Sequence, residues 1–455
     1  MVTIPEPSKL PAVVTATPTA EKTISPPPPF PAARTVQSEK ERIIEPDFTW
    51  EERSALVSDN NAFALDFYRR LSDDGDGNLF FSPYSISVAL AMTYAGAAGE
   101  TAAQMADALH FDLPQTRLHT VFNALDLELA KVSRDGDDPP ELNVANALWG
   151  QQGYQFRPEF LDTLAENYGA GLSQLDFTQP ESRQESAKII NGWVGEETNG
   201  KIPTIVSPSH FGSCDPPPWD CTRLILTNAI YFKGKWAEDY EFDEEDTADD
   251  YFNLDDGGQV KVPMMRQKRE LRYAEGDNYQ AVQLPYQGQR LAMFIFLPAP
   301  GKFDAFAASL DAEKASGFSD GWNKRVVDLT MPRFKLEKSV DAKSALQQLG
   351  IFDAFNPDVG VADFSGMADF SSPDSPDPGL YIRDVLHKAF VEVNEKGTEA
   401  AAATAVIIAV PASEPPTPLP PVVMDVDRPF IFLIRDTRTD AILFLGRVAD
   451  PSVAG

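Results

Sequence analysis

Fifteen residues near the C-terminus, Glu395 to Ala409, restrict the fold more than any other stretch because they carry two opposed instructions. The run Ala400–Ala403 is a strong helix former. The segment Thr404-Ala405-Val406-Ile407-Ile408 that follows prefers a strand. Read with period two, Thr398, Ala400, Ala402, Thr404, Val406 and Ile408 fall on one face, and every one is small or β-branched. Such a face can enter a sheet between two existing strands without a clash. Gly397 stands where the chain has to turn, and glycine tolerates φ values other residues avoid.

Composition removes several function classes. The formal charge of -30 argues against a nucleic-acid partner held through phosphates and against an anionic membrane surface. The apolar runs, such as Leu291–Leu297 and Phe430–Ile434, are far too short to span a bilayer. The start, Met1-Val2-Thr3-Ile4-Pro5, shows no signal peptide. Cys214 and Cys221 match no zinc spacing. A short local disulfide between them is expected if the protein is exported; two reduced thiols are the alternative. No phosphate-binding loop, dinucleotide fingerprint or metal-ligand cluster is visible, so no cofactor and no metal are expected. Gly317-Phe318-Ser319-Asp320-Gly321 fits a hydrolase elbow in letters, but lacks a strand before it and a helix after it.

Residues 1–47 are rich in Pro, Thr and Ala, cannot bury a core, and are expected to be a disordered extension. The globular part is expected over 48–455, with a helix capped by Ser58 or Asp59. Leu224–Phe232 reads as a buried strand, and Val326–Leu336 as another. Phe430–Ile434 and Ile442–Val448 read as a closing pair. Helices gather early and strands late, which predicts an α+β fold with large, mostly antiparallel sheets.

Five separated segments, in order, resemble serpins. They are Asn78–Ser87; Asn191-Gly192-Trp193-Val194 through Thr198–Ile202; Leu226–Trp236; the stretch from Leu386 through the Glu395–Thr404 hinge; and Asp427-Arg428-Pro429-Phe430 with Leu445-Gly446-Arg447-Val448. The resemblance covers about residues 57–452. It implies a large main β-sheet, smaller sheets, surrounding helices and an exposed reactive-centre loop at about 395–426. The implied activity is inhibition of a serine protease as a suicide substrate, by an inhibitor that is not itself an enzyme and is expected to be a monomer. The protease's nucleophile attacks a loop bond and forms an acyl-enzyme. The freed hinge then enters the main sheet; about fifteen residues at ~3.3 Å each carry the tethered protease roughly 50 Å.

The resemblance further implies roles for single residues. The hinge is Glu395, Gly397, Thr398, Glu399, Ala400, Ala401, Ala402, Ala403 and Thr404. A polar cluster under the sheet, the shutter, is implied at Ser82, Ser85, Asn228 and His387, and the breach aromatic at Trp236. The expected scissile bond is Ala412–Ser413, suited to an elastase- or subtilisin-like protease, with Ile408, Ala409, Val410 and Pro411 marking alternative bonds. The prolines from Pro415 to Pro421 lengthen the distal side of the loop. Arg117, His119 and Lys131 are too few for polyanion activation to be expected. An extracellular or cell-envelope location is implied, with the cytoplasm the alternative. A non-inhibitory serpin, acting as a binding or chaperone protein, is the alternative function.

Overall fold

The first helix, Trp50–Ser72, begins eight residues before the expected cap. Thr49 Oγ1 accepts from the Glu52 amide at 3.2 Å, and Glu52 Oε2 accepts from the Thr49 amide at 2.8 Å. This reciprocal box satisfies two otherwise orphaned donors, so it outcompetes the polar residues further along. The computed structural model describes residues 34–73, 75–134, 139–212, 221–310, 322–370, 379–398 and 420–453.

The described residues form two sheets. The main sheet runs Arg34–Val36, Leu172–Leu175, Glu141–Gln151, Leu224–Lys235, Gly397–Thr398, Ile382–Asn394, Phe334–Asp341. The second runs Val422–Asp425, Asn323–Pro332, Gln259–Gly276, Tyr279–Pro285, Leu291–Pro298, Phe430–Asp436, Ile442–Val448, Leu79–Phe81, with Ala248–Asn253 paired to Gln259–Gly276. Most pairings are antiparallel. An exception matters for function: Leu224–Lys235 and Ile382–Asn394 run parallel at the centre of the main sheet.

Two helices hold this sheet from opposite sides. Pro83–Tyr94, buried along its whole length, packs beneath Glu141–Gln151 and Leu224–Lys235. Pro180–Glu197 crosses the outer face. Its Val194, with Ile202 from the following turn, rests on Ala145, Ala229, Tyr231 and Phe390 from the three central strands. The second sheet closes the core through aromatic layers; Phe80 stacks with both Phe432 and Phe444. Each such ring contributes about 1.5–3 kcal/mol by leaving water.

Three expected boundaries move. Val326–Leu336 is not one strand: the chain leaves the second sheet at Pro332 and joins the main sheet at Phe334. Pro332 still pairs with Met264, and the Arg333 amide makes the last bond of that ladder, to the Pro263 carbonyl at 2.9 Å, before the chain crosses to the main sheet. Among the described residues, folded structure reaches back to Arg34, ahead of the start expected near residue 48, because Arg34–Val36 pairs with Leu172–Leu175 and the polar residues after it find partners on two helices. The segment expected as an exposed loop at 395–426 is anchored in sheets at both ends. Glu395 and Thr398 are buried, and Val422–Asp425 pairs parallel with Asn323–Pro332. Residues 1–33 lie outside the described residues, as does the Gly317–Gly321 motif.

Candidate functional site

The seam between Leu224–Lys235 and Ile382–Asn394 is closed below and open above. From Leu386 to Phe390 the second strand lies beside Thr227 to Tyr231 of the first, residue for residue. Above Tyr231 the strands part, and Gly397–Thr398 sits between them. It is antiparallel to both: Gly397 faces Lys235 and Asn394, Thr398 faces Gly234 and Val393. Glycine is required there. Its φ is 141°, and an added Cβ would lie 2.2 Å from the Gly234 carbonyl oxygen and 2.6 Å from Lys235 Cα.

Side chains around this seat fix its height. Trp236 stacks on Tyr286, with centroids 4.7 Å apart. The Trp236 indole N–H donates to the Asn394 carbonyl at 3.0 Å, and the Tyr286 hydroxyl meets Thr398 Oγ1 at 2.8 Å. Glu395 is 3% exposed. Its Oε1 accepts from Arg333 Nε at 2.7 Å and from Thr247 Oγ1 at 2.5 Å. Burial alone would raise its pKa, but the Arg333 guanidinium and the Thr247 hydroxyl outweigh burial and hold the carboxyl below its usual range. Lys396 pairs with Glu241 at 3.3 Å.

Further down, a polar cluster bridges the closed part of the seam. Asn228 and His387 are register partners, and both point away from the outer face that carries Ala229 and Phe390. The Ser82 amide donates to His387 Nε2 at 3.1 Å. Nδ1 therefore carries the proton and donates to Asn228 Oδ1. The Asn228 amide donates to Ser85 Oγ and to Asn146 Oδ1. Ser85 Oγ reaches Asn146 Oδ1 at 3.1 Å, and Ser82 caps the helix beneath through the Ser85 amide at 3.2 Å. Burial pushes the His387 pKa down to about 3, so the imidazole is neutral. A neutral network of this kind is held by geometry rather than charge, and its members can exchange partners without stranding an ion.

The structure thus brings Ser82, Ser85, Asn228 and His387 into one cluster, and places Glu395, Gly397, Thr398 and Trp236 in another at the top of the seam. Glu399, Ala400, Ala401, Ala402, Ala403 and Thr404 lie outside the described residues, as do Ile408, Ala409, Val410, Pro411, Ala412 and Ser413. Cys221 is buried and no cysteine among the described residues is free; Cys214 lies outside them.

Four participants escape sequence reading. Asn146 has a signal, because asparagine is unfavourable inside a strand. Tyr286, Arg333 and Thr247 have none; they meet the hinge only through tertiary folding. Of the three basic candidates, Arg117 is engaged with Glu52 at 2.6 Å, Lys131 with Glu128 at 2.9 Å, and His119 is buried.

The serpin (serine protease inhibitor) family profile matches residues 58–451. The chain belongs to the serpin family. A serpin-like protein of Thermococcus kodakarensis is 39% identical over 87% of this chain and 86% of its own. Leukocyte elastase inhibitor A of Rattus norvegicus is also 39% identical, over 87% of this chain and 99% of its own. Among solved structures, the thermophilic serpin tengpin in its native state superposes with a TM-score of 0.77 at 27% identity, covering 92% of this chain and all of tengpin. The serpin fold, α+β with its large main sheet, is therefore the fold of this chain. Among the described residues, no helix is long and apolar enough to cross a membrane.

Proposed function

We propose that this serpin inhibits a serine endopeptidase as a suicide substrate and that the seam is where its cleaved hinge inserts. One observation carries the reading. The register of Gly397–Thr398 against Lys235–Gly234 on one side, and against Asn394–Val393 on the other, matches the parallel register of the closed seam below. A sideways parting of the two strands, with no slip, admits the hinge. Continued down the seam, the same register sets Thr404 between Asn228 and His387 and brings Ile408 level with Leu224.

Insertion also suits sheet chemistry. Two parallel strands become two antiparallel pairs, whose hydrogen bonds are straighter. Residues 397–408 at ~3.3 Å each span roughly 40 Å. At about 1 kcal/mol net per added hydrogen bond, the gain is on the order of 10 kcal/mol. Thr398 and Thr404 would face inward on the side of Asn228, where the Thr404 hydroxyl can take over the hydrogen bond that His387 and Asn228 give up. The native state is then held by kinetics, with the polar cluster as gate and the Glu395–Arg333 pair as catch.

The target class is an elastase- or subtilisin-like serine protease, bound covalently by a monomeric inhibitor. Ala409-Val410-Pro411-Ala412 before Ser413 offers a small side chain to a shallow pocket. Relatives named leukocyte elastase inhibitor support that class. Cleavage at Ala412–Ser413, or after Ile408 or Ala409, leaves residues 397–408 free to insert. A Cys214–Cys221 disulfide belongs to the same proposal and fits an oxidising compartment outside the cytoplasm.

A melting experiment separates inhibition from a binding or chaperone role. A single loop cut by a non-target protease should raise the melting temperature by tens of degrees. An unchanged melting temperature after the cut would rule insertion out.

A further inference from the structure

Composition places residues 34–43 in a disordered extension, but their contacts are those of a bound peptide. Leu172–Leu175 would otherwise be the open edge of the main sheet, a template for any passing strand. Arg34–Val36 covers it antiparallel, with Arg34 opposite Gln174 and Val36 opposite Leu172. Gly171 leaves the room: a Cβ there would stand 3.0 Å from the Val36 carbonyl oxygen. Past the strand, Ser38 Oγ donates to Asp162 at 2.5 Å.

The anchor is Arg42. Its stem lies across Gly169, the left-handed residue that ends helix Pro158–Tyr168; an added Cβ would come within 3.1 Å of Arg42 Cδ. Its Nε donates to Asn123 Oδ1 at 2.9 Å and its Nη2 to Asp126 Oδ2 at 2.6 Å. Asn123 is wholly buried, and its Nδ2 donates to the Ile43 carbonyl at 2.7 Å. A buried amide whose oxygen is satisfied by this segment is a built pocket, since an orphaned buried acceptor is costly. Asp126 also accepts from the Tyr84 hydroxyl at 3.3 Å. Tyr84 belongs to helix Pro83–Tyr94, the helix whose first turn supplies Ser85, with Ser82 as its cap, to the seam cluster.

We propose that the Leu172–Leu175 edge and the Asn123–Asp126 pocket form a binding site for an extended, arginine-bearing peptide segment, filled in cis by residues 34–43 as a tethered ligand. Through Asp126 and Tyr84, Arg42 acts as a positioning residue for the helix under the seam; this coupling, unlike the site itself, rests on the seam-opening reading above. The surface ion pair of Lys40 with Glu166, at 2.9 Å, adds little to the docking. Arginine cannot be exchanged for lysine here, because two separate nitrogens address two acceptors.

The test uses the full chain, its Arg42→Ala and Arg42→Lys variants, and a fluorescent synthetic peptide of residues 34–43. Hydrogen exchange should show the amides of 172–175 protected in the wild type and exchanging at least tenfold faster in Arg42→Ala, with Arg42→Lys between them. The peptide should bind Arg42→Ala at least tenfold more tightly than the wild type, whose site is filled, and a peptide with the same Arg→Ala change should lose that binding. Unprotected 172–175 amides in the wild type, equal exchange in wild type and Arg42→Ala, or equal or absent peptide binding would each overturn the site. The wild-type measurement stands even where a variant fails to fold. Faster exchange in Arg42→Ala at residues 227–229 and 386–388 supports the coupling, and unchanged exchange there refutes it. No protease is used, so failure of the site and failure of the inhibitory reading are told apart.

Discussion

His387 and Asn228 face each other across the central seam, joined by a hydrogen bond from Nδ1 to Oδ1, on two strands that run parallel in constant register from Asp384 to Phe390. That bond closes the sheet below the point where Gly397–Thr398 lies between the two strands. Its chemistry and the seat above it lead to testable consequences.

The gate should be sensitive to acid. Burial lowers the pKa of His387 to about 3 and that of His119 to about 4, below the ~6.5 of an unfolded histidine. The unfolded chain therefore binds more protons over this interval, and stability falls as pH drops from about 6.5 toward 3–4, by roughly 1.4 kcal/mol per pH unit for each group. Denaturant titrations between pH 6 and pH 4.5 should show this, and His387→Gln should remove about half of the slope. An unchanged slope in the variant would show that His387 is not the titrating group.

The hinge seat should tolerate no bulk. Thr398 is wholly buried between Gly234 and Val393. Thr398→Arg is expected to leave protease cleavage intact and abolish retention, turning inhibitor into substrate. The number of inhibitor molecules consumed per protease inactivated should rise at least tenfold. Complexes retained at the wild-type ratio would contradict the seat.

Tyr286→Phe removes one hydroxyl, that bonded to Thr398. The loss is expected to cost about 1 kcal/mol and to speed amide exchange at Gly397 and Thr398, while the Trp236 stack persists and near-ultraviolet dichroism is unchanged.

Glu395→Gln leaves the Arg333 guanidinium without its carboxylate. Because Glu395 is buried and Arg333 partly exposed, the expected cost is about 2 kcal/mol. Its signature is spontaneous loss of inhibitory capacity on mild heating, faster than in the wild type. An identical rate would remove the pair from the account.

Much of this architecture is legible in the residues. The two instructions of 395–409 suit the proposed role in two places, and the ordered serpin-like segments announce the main sheet that the fold contains. Ser82 and Ser85, Asn228, and His387 come from three distant stretches of the sequence, so periodicity alone cannot join them; the resemblance does. What stays hidden depends on long-range partners. Arg34–Val36 lies beside a proline-rich tract and becomes a strand only because an edge is vacant. Arg333 looks like the interior of one strand, yet the chain changes sheets there, and that turn aims its guanidinium at Glu395. Tyr286 follows Pro285 in an ordinary strand end, with nothing local to tie it to Thr398.

The most direct test of insertion down this seam is incubation with a panel of elastase- and subtilisin-like serine proteases, followed by denaturing electrophoresis and mass measurement of the released C-terminal peptide. The account predicts a complex stable to denaturant, at the summed mass of protease and cleaved inhibitor, with a peptide starting at Ser413 or no earlier than Ala409. Cleaved inhibitor with fully active protease and no stable complex, or a cut before Ile408, would contradict it.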